Sequence, residues 1–386
     1  MDEHAGRRRF LMNMTALGAA AGVSGALAAH ESHPRAASPQ MMAAAETQER
    51  NAPAAKGLPR IHLIVSAGTL PSVGKDRMDL LRYRESGIPR LTGAQLLEPL
   101  PEIASIARVT VEQGPPPDNT TYDALRKLSM RITELLRSPD VDGVVYVQGT
   151  NTLEETSYFY NLTVKSDKPI VVTGAQRPYN GLSTDGPINL LDAIRVACSP
   201  ETRGKGAVVV LNGEINGARE VTKTDTYHVQ TFRSRGVGIL GYADPDKIEY
   251  YRTPHRRHTV NSEFDLGTIS GGMPYVGILY VHTGTRPGEA EAMVKAGAKG
   301  LVVAGSGAGS PGNCDKEVQA IAKARSAVVV QSTRVGEGRI VRHNNWYWPG
   351  YVVADTLSPQ KAALLLSLAL TRTSDPAEVQ RYFDEY

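Results

Sequence analysis

What most constrains this chain is a series of short, continuously apolar, β-rich runs separated by helical stretches. The runs are Ile61–Val65, Gly143–Val147, Pro169–Thr173, Ala207–Leu211, Tyr275–Val281, Gly300–Ala304, Ala327–Gln331 and Tyr351–Ala354. Several show no alternation of apolar and polar residues, as expected when both faces of a sheet are covered. Between them, Leu125, Leu128, Ile132, Leu135 and Leu136 fall on one face of a helix over 121–137. Further helices are predicted over Pro187–Cys198, Gln360–Thr371 and Pro376–Tyr386. Strand–helix alternation implies right-handed crossovers, so the expected fold class is α/β with a largely parallel sheet. The chain has 386 residues, more than the roughly 100–200 of one average domain. A polar stretch over 244–272, containing Arg252-Thr-Pro-His-Arg-Arg-His258, interrupts the alternation. The expected division is a larger N-terminal domain over 59–248, a linker over 249–272 and a smaller C-terminal domain over 273–386.

Ahead of the fold the chain carries an address. Residues 7–11 read Arg-Arg-Arg-Phe-Leu, a twin-arginine pattern, and a mildly apolar run follows from Met14 to Ala28. That run is too short and too weakly apolar for a membrane span of about 20 residues. Ala26-Leu27-Ala28 supplies a small-x-small cleavage site. The expectation is a twin-arginine signal peptide over 1–28, a disordered leader over 29–58, and a periplasmic mature protein with no membrane attachment after export. His30 and His33 are read as solvated leader residues.

Charge and cysteine content exclude other classes. Lys+Arg is 43 against Asp+Glu 40, too balanced for a protein that must neutralise many nucleic-acid phosphates. Cys198 and Cys314 are too few for a disulfide framework or a cysteine zinc site, and the sequence leaves open whether they pair.

In parallel α/β sheets ligands bind beyond the carboxyl ends of strands, so the residues after each run carry the functional reading. After the first run comes Ser66-Ala67-Gly68-Thr69-Leu70-Pro71, small residues that present a hydroxyl at the strand tip. After Gly143–Val147 comes Gln148-Gly149-Thr150-Asn151-Thr152-Leu153-Glu154-Glu155. Thr152 and Glu155 have capping-box spacing, so a helix should start at Thr152. Gly149, Thr150 and Asn151 then occupy the turn before a helix N-terminus, where free N–H groups face an anion. Lys223 lies in a later loop, and taken alone it reads as a solvated lysine. Gly305-x-Gly307-x-Gly309 follows a strand, but its spacing is wrong for dinucleotide binding. There is no phosphate-binding loop, no HExxH and no GxSxG elbow, and neither a metal nor a cofactor is expected.

Taken together, these pieces resemble one family. Residues 143–195, beginning GVVYVQGTNTLEETSYF, closely resemble the bacterial L-asparaginases. So do REVTKTDTYHVQTFRS near 219 and the ending DTLSPQKAALLLSLALT. The resemblance implies a two-domain fold with a larger N-terminal and a smaller C-terminal α/β domain. It also implies a homotetramer with sites at subunit contacts, and hydrolysis of a small side-chain-type amide through an acyl-threonine. Thr69 matches the nucleophile of the family's TGGTI loop, and Tyr83 the tyrosine of its lid. Thr150 matches the second threonine of HGTDT, and Lys223 the lysine of DVTKT. Gly68, Gly149 and Asn151 fall in the implied substrate-binding loops. A lysine ammonium near two hydroxyls would favour an alkoxide-like nucleophile.

The departures bear on the substrate. The aspartate of HGTDT is Asn151, and the family's Gly-Ser-Gln falls near Gly114-Pro115-Pro116-Pro117, which has no hydroxyl. The family's amine-contacting asparagine reads Ala308, and its C-terminal-domain glutamate falls near His343 or Asn344. The competing class is a non-catalytic periplasmic small-molecule-binding homologue. Retention of Thr69, Tyr83, Thr150 and Lys223 argues against it, because decay would not spare those four selectively.

Overall fold

The computed structural model describes residues 57–114, 121–342 and 351–386. The expected signal peptide, nearly all of the leader, Pro115–Pro117, His343 and Asn344 lie outside the described residues.

Strands β1 (Arg60–Val65), β2 (Arg108–Gln113), β3 (Gly143–Val147), β4 (Ile170–Thr173), β5 (Ala207–Leu211) and β6 (Glu214–Gly217) belong to one sheet with β9 (Gly241–Ala243) and β10 (Ile248–Tyr250). Its order is β10-β9-β6-β5-β4-β3-β1-β2. The part from β2 to β5 is parallel, while β6, β9 and β10 add an antiparallel edge that the run pattern does not predict. The β5–β6 hairpin turns on Asn212 and Gly213, both at positive φ (55° and 73°), the Asn-Gly signature of a tight hairpin. Between β6 and β9, β7 (Thr222–Lys223) pairs with β8 (Phe232–Arg233) as a separate two-stranded ribbon. The C-terminal part is a parallel sheet of β11 (Val276–Tyr280), β12 (Gly300–Gly305), β13 (Val328–Thr333) and β14 (Tyr351–Val353) in that order.

Nine helices flank the sheets among the described residues: α1 (Gly93–Leu97), α2 (Ile103–Ile106), α3 (Tyr122–Arg137), α4 (Leu153–Thr163), α5 (Gly186–Cys198), α6 (Glu289–Lys295), α7 (Asp315–Lys323), α8 (Pro359–Leu370) and α9 (Pro376–Glu385). Helix α3 buries the five predicted apolar residues, and the Thr121 hydroxyl caps it by accepting from Ala124 N–H. Helices α3 and α4 cover one face of the large sheet, while α5, α1 and α2 cover the other. Helix α4 is buried on nearly every side, because α8 of the C-terminal part packs against it and continues the same core. Cys198 and Cys314 are both free. Strand β10 runs across the expected domain limit at 248.

The glycines of Gly305-x-Gly307-x-Gly309 serve a turn. Gly307 and Gly309 have positive φ, and a Cβ on Gly305 would lie 2.3 Å from the Gly309 carbonyl carbon. Only glycine tolerates that approach.

Candidate active site

The carboxyl ends of β1 and β3 are adjacent. Their parallel register extends one residue further through Ser66 N–H to Val147 O, 2.9 Å. Beyond it the two loops meet backbone against backbone. A Cβ on Gly68 would lie 2.5 Å from Gly149 N and 2.7 Å from its Cα, so a side chain at Gly68 would push the loops apart. The two glycines thereby set Thr69 and Thr150 on neighbouring strand tips, each 5% exposed.

Each threonine hydroxyl has one short partner. Thr69 Oγ1 lies 2.8 Å from Tyr83 Oη. Tyr83 opens a 3-10 turn, Tyr83–Glu85, in a strap that runs from Ser72 to Leu91. Lys223 Nζ donates to Thr150 Oγ1 at 2.8 Å. The ribbon of β7 and β8 carries Lys223 back over the end of β3. The structure thus brings Thr69 to Tyr83 and Thr150 to Lys223, with Gly68 and Gly149 between the loops. Asn151 is exposed in the turn before α4, and Ala308 is exposed in the turn after β12.

Lys223 is half-buried, and its surroundings lower its pKa. Burial holds its pKa below the usual lysine value, the Arg84 guanidinium adds to this, and Asp225 and Glu154 oppose it. Arg84 follows Tyr83 on the strap, with its guanidinium 5.9 Å from the Tyr83 ring. The strap that positions the first hydroxyl therefore also acts on the charge at the second.

Two residues of this region escaped the sequence reading. Glu154, 6% exposed, accepts from Lys223 N–H (3.3 Å) and Gln360 Nε2 (3.4 Å). Lys361 of α8, 2% exposed, donates to the carbonyls of Ala218 (2.8 Å), Arg219 (2.9 Å) and Val221. A lysine directly before the apolar run of α8 was the available signal, because a buried ammonium requires acceptors. Burial pulls Lys361 down to about 8, against the charges of Glu154 and Glu220. The expected capping box is absent. Thr152 is the N-cap of α4 but its hydroxyl caps nothing, and Glu155 is turned inward. Burial, then repulsion from Glu154, raises Glu155 to about 7, with Lys361 opposing.

A cavity of about 630 Å³ lies beside Lys223, between the two domains, with Arg235, Tyr280, Thr333 and Gln360 in its wall. Among the described residues no group of three or more His, Cys, Asp or Glu could hold a metal ion, and no helix is long and apolar enough to cross a membrane.

Comparison with known proteins places this geometry. Residues 60–256 match the family model for the asparaginase N-terminal domain, and residues 275–383 that for the glutaminase/asparaginase C-terminal domain. The chain is 40% identical over 358 residues to L-asparaginase 2 of Bacillus subtilis, covering 92% of this chain and 93% of that protein. It is 38% identical over 340 residues to a probable periplasmic L-asparaginase of Haemophilus influenzae, covering 86% and 94%. The crystal structure of a probable cytoplasmic L-asparaginase from Campylobacter jejuni superposes with a TM-score of 0.79 at 36% identity, covering 85% of this chain and all of that one. With both domains matched in order and these identities sustained along the fold, the chain belongs to the asparaginase family of amide hydrolases.

Proposed function

We propose that the protein hydrolyses a side-chain-type amide, L-asparagine or a close relative, through an acyl-threonine at Thr69. The observation that carries this is the pair of hydroxyl contacts on adjacent strand tips, Thr69–Tyr83 and Thr150–Lys223. Thr69 Oγ1 attacks the amide carbon as its proton moves toward Tyr83 Oη. A C–O bond forms, and the C–N bond breaks as the amide nitrogen takes up a proton and leaves as ammonia. Water then cleaves the ester and restores Thr69. Backbone N–H groups at the Thr150 turn hold the tetrahedral oxyanion, a contribution of roughly 3–4 kcal/mol in comparable sites. The Lys223–Thr150 pair supplies positive potential and a relay for protons.

The substrate pocket departs from the family where an α-ammonium would sit. Asn151 and Ala308 carry no charge, and neither candidate at the third position, His343 or Asn344, is an anion. A hydrogen bond to a charged group contributes roughly 1.5–3 kcal/mol, so losing two weakens binding of an α-amino amide by about 10²–10⁴. The reading favours an amide without a flanking ammonium. The test compares L-asparagine with succinamic acid, which keeps the amide and carboxylate and lacks the amine. Succinamate should be hydrolysed as well as L-asparagine or better. A micromolar KM for L-asparagine with no turnover of succinamate would refute this part of the reading.

Two further points belong to the same proposal. Residues 7–11 support export to the periplasm, as does the naming of the Haemophilus relative. N-terminal sequencing of periplasmic protein should begin near residue 29. The family resemblance supports a homotetramer, which light scattering showing a monomer would exclude.

A further inference from the structure

We propose that Asn180 is a positioning residue, a latch that holds the Ser72–Leu91 strap closed and so keeps Tyr83 on Thr69. The proposal rests on the roles given above to Thr69 and Tyr83.

The Asn180 side chain takes both backbone groups of one strap residue. Its Oδ1 accepts from Gly74 N–H at 2.8 Å, and its Nδ2 donates to Gly74 O at 2.8 Å. One amide thus pairs with Gly74 as a neighbouring strand would. Main-chain bonds flank it, from Tyr179 N–H to Ser72 O and from Leu182 N–H to Arg77 O, each 2.8 Å.

The loop that presents Asn180 is fixed to the core. Asp185, 5% exposed, accepts from the N–H groups of Gln176 and Arg177 and from Asn189 Nδ2. Asn189 belongs to α5, whose apolar face packs on the large sheet. Arg177 Nη1 closes the loop on Ser183 O at 2.7 Å.

From Gly74 the path to the tyrosine is short. The neighbouring Val73 carbonyl accepts from Ser86 Oγ at 2.7 Å, and Ser86 caps the 3-10 turn that begins at Tyr83. The strap is folded upon itself as a unit. Asp79 accepts from Lys75 N–H and Arg82 N–H, and a Cβ on Gly74 would lie 2.8 Å from Asp79 O. Apolar burial contributes little to holding it, since Met78 is 65% and Leu81 71% exposed. A segment with few buried apolar contacts is held mainly by its hydrogen bonds, and here two of them come from a single side chain.

The experiment uses the full chain with Asn180→Ala and with the near-isosteric Asn180→Asp, which sets a carboxylate oxygen against the Gly74 carbonyl. Hydrogen exchange is followed in 72–87 and, as a control for folding, in β1 and β3. Both variants should speed exchange of the strap about tenfold, the effect of losing about 1.4 kcal/mol of hydrogen bonding, with β1 and β3 unchanged. Amide hydrolysis, expressed as kcat/KM, should fall about threefold to tenfold. In a Tyr83→Phe background the Asn180 substitutions should cause no further loss, because the latch acts through Tyr83. Unchanged strap exchange in both variants would overturn the latch. So would an Asn180→Ala loss that persists undiminished without the tyrosine hydroxyl. The exchange measurement needs no turnover, so failure of the catalytic reading would leave this test intact.

Discussion

Thr150 and Lys223 are joined across 73 residues by a frame of buried polar groups, whereas Thr69 and Tyr83 are joined across 14 by a strap that lies largely at the surface. The first pair rests on Glu154 beneath the Lys223 backbone and on Lys361, whose ammonium binds three carbonyls just upstream of it. Buried, fully partnered groups of this kind fix geometry, because any displacement strands a charge. The second pair depends on the hydrogen bonds of an exposed loop. The contrast is between a pair held by buried polar groups and a pair held by an exposed strap. In the proposed mechanism a substrate enters when the strap opens and meets a Thr150–Lys223 pair already in place.

Breaking the rigid pair should give the larger effect. Lys223→Met removes the donor to Thr150 Oγ1 while retaining most of the side-chain volume. We expect kcat to fall about 10²–10³-fold, the usual cost of losing one transition-state donor, with the strap's hydrogen exchange unchanged. A loss below threefold would show that the lysine is a bystander.

A smaller effect sharpens the same contrast through stability. Glu155, next to Glu154 of the rigid frame, has its pKa raised to about 7, above the usual glutamate value near 4.3. Between those values the folded state binds more protons than the unfolded state, so stability falls as pH rises from about 4.5 to about 7 and then levels off. Glu155→Gln removes that dependence. The variant should exceed the parent by about 1–3 kcal/mol at pH 8 and by little at pH 4, measured by urea unfolding. Equal stability of the two at pH 8 would show that the carboxylate is not penalised there.

The legibility of the sequence divides along similar lines. The eight apolar runs all form strands within two residues of their expected limits, because strands covered on both faces leave a continuous apolar signature. The antiparallel edge was hidden because β9 and β10 are three residues each, though Asn212-Gly213 marked its first hairpin. Thr69 and Thr150 could be found as hydroxyls at strand tips. Lys223 could not be found from local pattern, since its partner is 73 residues away and only the fold unites them. Tyr83 was reached by resemblance alone, since the strap has no period to read. The Thr152–Glu155 spacing misled because Thr152 makes no side-chain cap bond and Glu155 is largely buried rather than closing back on the N-cap backbone. Asn180 gave no signal, as an asparagine in a turn ordinarily bonds its own backbone.

The central claim, acyl transfer to Thr69, is tested most directly by trapping. The protein is incubated with a reactive diazo-ketone analogue of an amide substrate, and the adduct is located by intact mass and peptide mapping. The account predicts one adduct per chain, on Thr69, absent in Thr69→Ala. An adduct on another residue, or turnover of an amide by Thr69→Ala at the parent rate, would contradict it.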